Sequence, residues 1–177
     1  MDFCEFLAEE ELIEIIPNFK FNKQLNLISG DFGPFEPNVP VKVPIWMALN
    51  LHQQHKCSLK LPSWIKKLID LQEQQEVADR MLEMPSEYYR EIIKLLQQHV
   101  PSIPDCADLI ERREAFLKTS IASLFQHVYE EYKDNLAVST VTLHNVTKAE
   151  LYLIKNFVQK AFTLFQQLRT TAASIKH

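Results

Sequence analysis

Glycine occurs only twice in this chain of 177 residues, at Gly30 and Gly33. A residue without a Cβ is the default wherever the backbone takes positive φ or must approach a ligand closely. Loops that cradle phosphate need two or three closely spaced glycines ahead of a helix, and a strained serine turn needs glycine on both sides. The chain has neither pattern, so nucleotide chemistry through such loops is excluded. Both glycines fall in SGDFGPFEPNVPVKVPIW, Ser29 to Trp46, beside Pro34, Pro37, Pro40 and Pro44. Glycine permits tight turns there, while proline restricts φ and removes ladder donors. This stretch therefore reads as a stiff corner that joins a small strand-rich domain to a helical one, lying on an edge or in a rigid extended connection.

Around the corner, Leu12-Ile13-Glu14-Ile15-Ile16 and Leu25-Asn26-Leu27-Ile28 are short β-branched or apolar runs bounded by Pro17-Asn18 and Gly30, the mark of strands. Pro44 is placed to open a helix through Ile45, Met47, Leu49 and Leu51. From about residue 61 helical periodicity takes over. The spacing predicts a short helix from Trp64 through Leu68 and Leu71, then one from Pro85-Ser86 to Val100, stopped by Pro101. A long helix follows from about Asp105 to Tyr132, with Ile110, Leu117, Ile121, Leu124 and Val128 in one stripe. A polar link holding Val141-Thr142-Leu143 leads to a last helix from about Lys148.

Thr147-Lys148-Ala149-Glu150 is a capping box, in which threonine and glutamate reciprocally satisfy free backbone donors. This accounts for Thr147 in Asn145-Val146-Thr147, which otherwise imitates a glycosylation acceptor. Along the last helix Leu151, Leu153, Ile154, Phe157, Val158, Ala161, Phe162, Leu164, Phe165 and Leu168 span roughly 180° at about 100° per residue. One core face needs only about 100°. Either this helix is central to its own bundle, or it is buried on two sides, by its own domain and by another chain. The second reading makes Leu153, Phe157, Val158, Phe162 and Leu164 interface residues.

With 46% hydrophobic and 24% charged residues, the composition is that of a soluble globular protein of one medium or two small domains. No signal peptide or membrane-spanning run is expected. Cys4, Cys57 and Cys106 are odd in number and widely spaced, suiting free thiols in a reducing nuclear or cytosolic setting. His52, His55 and Cys57 offer imidazole and thiolate within six residues, but the spacing is i+3 then i+2 and no clustered fourth ligand follows. No metal or cofactor is expected. Asp2, Glu5, Glu9, Glu10, Glu11 and Glu14 crowd the first fourteen positions without a basic neighbour, as a solvated face or as a strip for a basic partner. Lys66-Lys67 and Arg112-Arg113 are too small to claim a nucleic-acid site.

The order Ile15-Ile16-Pro17-Asn18-Phe19, Gly33-Pro34-Phe35, Val41-Lys42-Val43-Pro44-Ile45-Trp46-Met47-Ala48 and Cys57 resembles the GINS complex subunit 2 family. The likeness continues through Leu61-Pro62-Ser63-Trp64, Met84-Pro85-Ser86-Glu87-Tyr88-Tyr89, Ile103-Pro104 and Leu143-His144-Asn145-Val146-Thr147, so it covers nearly the whole chain. Ile65-Lys66-Lys67 departs from the family's methionine and acidic residues, and the stretch from Arg112 to Ser123 matches only loosely. The resemblance implies an α+β, mainly α fold: a small β-rich domain over residues 1–60 and a larger helical bundle domain over 61–177. It also implies a nuclear, non-catalytic scaffold in a heterotetramer with three other GINS subunits. That assembly joins the minichromosome maintenance helicase ring to its activator protein and helps recruit the leading-strand DNA polymerase. In this setting Phe32, Phe35 and Trp46 at the stiff corner are expected either as partner anchors or as local core. The alternative from another class is a small helical protein with a metal or hydrolytic site near His52, His55 and Cys57.

DNA contact is expected to be secondary, because 19 basic against 23 acidic side chains leave a formal charge of -4 and little counterion release. The chain alone should show no submicromolar binding to duplex DNA at physiological salt in a fluorescence anisotropy titration. Tight binding with a steep salt slope would reveal a basic face that composition conceals.

Overall fold

The computed structural model describes residues 3–133 and 143–175. The expected link at Val141-Thr142 and the side chains of Val128, Phe165 and Leu168 lie outside what is described. In order come α1 (Phe3–Glu9), β1 (Leu12–Pro17), β2 (Leu25–Leu27), β3 (Gly30–Phe32), β4 (Val41–Pro44), α2 (Ile45–Gln53) and β5 (Cys57–Lys60). A 3₁₀ turn (Ser63–Lys67) then leads into α3 (Leu68–Val77), α4 (Tyr89–Gln97), α5 (Ala107–Lys133) and α6 (Lys148–Ile175). The fold is α+β and mainly α, and among the described residues every strand lies inside the first 60. The chain packs as two compact units, residues 1–74 with 88–106, and residues 75–87 with 107–177.

In the first unit an antiparallel sheet has the order β4-β1-β5. Period-two alternation in β1 sends Ile13, Ile15 and Pro17 inward and leaves Leu12 exposed. Prolines sit at the ends of strands, Pro17 opposite Cys57 and Pro44 opposite Leu12, where the missing donor costs least. Pro44 ends β4 and directly precedes α2. Glu14 stands opposite Lys42 on one side and Lys60 on the other. Lys60 donates to its carboxylate and holds it below the ordinary range. This contribution is present above the unfolded value and is lost as pH falls through the folded one. Strand pairing thus supplies Glu14 with the basic partner that its own neighbourhood lacks.

The corner connects β3 to β4 inside this unit and does not join one domain to the other as expected. Phe21 and Phe35 exchange backbone hydrogen bonds of 2.8 and 2.9 Å, and the Asn38 N–H donates to Pro17 O. Gly33 has φ 104°, and a Cβ there would lie 3.1 Å from Lys23 O and 3.2 Å from the Phe35 ring. Glycine is therefore required both by conformation and by space. Helix α1 was not apparent in the sequence, where the acidic run masks its one informative pair. Cys4 and Ala8, four residues apart, are buried and small enough to let α1 approach α4 and α2. The acidic residues at its end are not all freely solvated, since burial, with repulsion from Glu5 and Glu10, pushes the Glu9 carboxyl up.

In the second unit the long stripe of α5 is rotated from the expected one. The buried row is Leu109, Arg113, Leu117 and Ile121, whereas Ile110 and Leu124 are only half-buried. Arg113 is 1% exposed, and its donors meet both oxygens of Glu150 at 2.6 and 2.9 Å, Gln75 Oε1 at 3.2 Å, Leu82 O at 2.8 Å and Asn145 O at 3.0 Å. Those five contacts match the five N–H groups of a guanidinium.

The same Glu150 carboxylate accepts the Thr147 N–H at 3.0 Å, and the Glu150 N–H donates to Thr147 Oγ1 at 3.3 Å. Glu87 completes the start of α6 by accepting from the Lys148 N–H at 2.7 Å through its carboxylate and from the Ala149 N–H at 3.4 Å through its carbonyl. The orphan donors at the N-terminus of α6 are thereby satisfied. Tied up in this way, Glu87 is not part of a helix, and α4 starts at Tyr89 instead of at the expected Pro85.

Breaking a buried pair by removing one partner leaves an uncompensated buried charge, at a cost of about 3 to 5 kcal/mol. Arg113→Ala should lower the unfolding free energy by that amount in denaturant titrations, while Arg112→Ala, on the exposed pair with Glu76, should cost less than about 1 kcal/mol. Equal effects of the two substitutions would show that the buried network does not carry the unit.

Candidate functional site

Helix α6 is capped firmly at its start and then largely uncovered. Ala149 and Glu150 are buried, but Leu151, Leu153, Phe157, Phe162 and Leu164 are 51%, 46%, 57%, 36% and 60% exposed. Around the helix at about 100° per residue, Ile154 and Ala161 fall together at the middle of the apolar arc, and both are half-buried. Val158, beside them, is also half-buried. Leu153, Phe157 and Leu164 share one edge of the arc, within about 40°, and Leu151 and Phe162 share the other, within about 20°.

Helix α5 reaches both edges of the arc through one side chain. Its Phe125 stands edge-on to Phe157 and to Phe162, with ring centroids 6.5 and 5.2 Å away. The middle of the arc is thus half-buried, while its two edges stay exposed even where Phe125 touches Phe157 and Phe162. On one flank lies a hollow of about 410 Å³ whose walls include Leu143, Leu151, Ile154 and Val158. A smaller one, of about 180 Å³, lies among Leu117, Lys118, Leu153 and Ile154 on the other.

Covering the remaining half of each exposed side chain is worth about 1 kcal/mol. No single residue would hold a partner against association costs of about 4 kcal/mol or more. The arrangement can bind only by several anchors acting together, which is what two apolar edges along a helix provide.

The corner residues are placed differently. Phe35, 1% exposed, stacks on Phe19 with centroids 5.5 Å apart, and Phe32 is 7% exposed. Both fill the core of the first unit, which was one of the two roles open to them. Trp46 is half-buried at the start of α2. His52, His55 and Cys57 do not converge. The Cys57 thiol points inward to Ala48 O at 3.7 Å, and burial pushes it up from the ordinary thiol range. His52 Nδ1 lies 3.2 Å from the Cys57 carbonyl oxygen, and exposed His55 takes φ 54° in the turn before β5, its carbonyl accepting from Asn18 Nδ2 at 2.7 Å. Among the described residues no group of three or more His, Cys, Asp or Glu is placed to hold a metal ion, and no helix is long and apolar enough to cross a membrane.

A family model for the PSF2 N-terminal domain matches residues 1–60. The DNA replication complex GINS protein PSF2 of Homo sapiens is 37% identical over 169 residues, covering 94% of this chain and 90% of that protein. The Xenopus laevis protein of the same name is 36% identical over 170 residues, with the same coverage of 94% and 90%. This chain belongs to the PSF2 family. A probable PSF2 of Drosophila melanogaster adds 32% identity over 179 residues, 95% of this chain and 87% of that protein. Membership therefore extends beyond the strand-rich region to the helices that carry the open apolar flanks.

The inward thiol and the scattered imidazoles set an expectation for metal. Purified protein should hold no stoichiometric zinc, and replacing His52 and His55 with alanine should leave its melting temperature unchanged, because neither side chain has the ligand partners a closed site needs. About one zinc per chain by elemental analysis, lost in the double variant, would contradict this.

Proposed function

We propose that this chain is a non-catalytic scaffold subunit of a nuclear GINS heterotetramer, held to its neighbours by the two open flanks of α6. The observation that carries the reading is the row Leu153, Phe157 and Leu164, exposed by about half on a helix whose first turn is locked. Large apolar side chains in a continuous row are uncommon on free protein surfaces and common at the centre of obligate interfaces. In this reading the three other GINS subunits are the chains that cover them.

In this reading the assembly joins the minichromosome maintenance ring to its activator and helps recruit the leading-strand polymerase. Its role is to hold, and ATP hydrolysis belongs to the ring. Residues 1–60 supply the strands of the subunit, with half-buried Trp46 available at the surface there and DNA contact secondary.

Glutamate substitutions separate the two roles of the arc. Leu153→Glu and Leu164→Glu should preserve helicity and melting temperature yet abolish co-purification with the other three subunits on co-expression. Val158→Glu, at the half-buried middle, should in addition lower stability by about 1 to 3 kcal/mol. If every variant co-purifies like the parent chain, the flanks are not the interface.

A further inference from the structure

The hollow of about 410 Å³ beside Leu151 has apolar walls and a charged rim. Leu143, Leu151, Ile154 and Val158 form the walls, and among the described residues its only charged lining side chains are Lys148 and Lys155. Leu151, Ile154, Val158 and Ala161 recur at spacings of three, four and three, the seam of a packed helix pair. Lys148 and Lys155 stand seven residues apart along one side of that seam, about 10.5 Å from each other along the axis and within about 20° around it. Where helices pack, positions of this kind carry the charges that set partner choice and orientation.

Both lysines are exposed, and among the described residues neither has an ion pair. The carboxylate of Glu87, at the start of the helix, is engaged by the Lys148 backbone N–H, and Glu150 is buried with Arg113. Residues 151–177 hold no aspartate or glutamate, although the chain has a net charge of -4. A second copy of α6 laid on this flank would therefore bring lysine against lysine with no acid to meet it, which rejects such pairing. The flank at Leu153 differs, because Glu114 lies there within 3.8 Å of Lys118.

We propose that the Leu151 flank takes a helix of a partner chain whose apolar row is edged by aspartate or glutamate, with carboxylates about seven residues apart to meet Lys148 and Lys155. This docking rests on the scaffold reading and gives the chain that covers one flank its chemistry. Contact with Leu151, Val158 and Phe162 supplies the affinity, while the lysine pair fixes register and rejects basic helices.

The test uses the heterotetramer assembled by co-expression with the three other GINS subunits. A zero-length carbodiimide activates carboxylates, and an amine within ion-pair reach displaces the activating group to leave an amide. Peptide mass spectrometry should find Lys148 and Lys155 joined to acids of one helix in a single partner, about seven residues apart. Lys148→Glu combined with Lys155→Glu should leave the melting temperature of the chain unchanged, since glutamate is favourable in the first turn of a helix and Lys155 is exposed. The same pair should cut recovery of the heterotetramer at least about tenfold through like-charge repulsion, and the matching pair of arginines should restore it. If Leu151→Glu disrupts assembly and the glutamate pair does not, α6 is an interface whose partner is not acidic, and the proposal falls while the scaffold reading stands. Crosslinks confined to carboxylates of this chain, or a glutamate pair that leaves assembly intact and weakens binding of the complex to duplex DNA, would also overturn it.

Discussion

The helical unit depends on one carboxylate. Glu150 closes the capping box of α6 with Thr147 and, with the same two oxygens, receives the fork of Arg113 from the middle of α5. Ionised pairs with bidentate geometry are the strong class of hydrogen bond, and every further donor of the guanidinium is also met, by Gln75, Leu82 and Asn145. Gln75, Arg113, Thr147 and Glu150 are the buried polar residues among those described, and all four belong to this network. A buried ion pair need not stabilise more than apolar packing would, but a half-satisfied one is costly. Geometry is therefore specified: the end of α3, the loop to Leu82, α5 and the start of α6 meet in one arrangement or leave a charge stranded.

That specification reaches the surface. With the first turn of α6 held in rotation by Glu150 and by Glu87, the apolar arc beyond it has no freedom to choose which residues face α5. Phe125 then meets Phe157 and Phe162, and the two edges remain largely exposed. A polar node at one end of the helix and an uncovered apolar surface along the rest are thus parts of one design. The node supplies orientation without consuming the apolar side chains, which stay available to a partner and are presented without a search over helix rotations, lowering the entropy lost on association.

Much of this was legible beforehand, and the misses share a cause. The strands at Leu12 and Leu25, the helix opened after Pro44, the capping box and the wide arc of α6 are local patterns, written in residues within a few positions of each other. In the sequence Arg113 reads as half of a small basic pair. The signal was present, since Arg113 stands in the four-residue row with Leu109, Leu117 and Ile121, a charge where an apolar residue is due. Its meaning needed Glu150, 37 positions away. Helix α1 was hidden because seven residues with two small buried positions give too little periodicity against an acidic background.

By itself the sequence determined the class of the protein. Two glycines and a proline-rich corner forbid the loops of nucleotide chemistry, and the break from strand to helical spacing orders the fold. An apolar arc wider than one core face requires burial on more than one side. Only the tertiary structure decided how that arc is shared, with the centre half-buried and the flanks exposed to solvent, and that Phe32 and Phe35 are core while Phe21 and Leu25 lie partly open. Periodicity reports which side chains avoid water, but it cannot say which neighbour excludes the water. That is settled by contacts between segments far apart in the chain, where hydrogen-bond geometry and packing admit one arrangement.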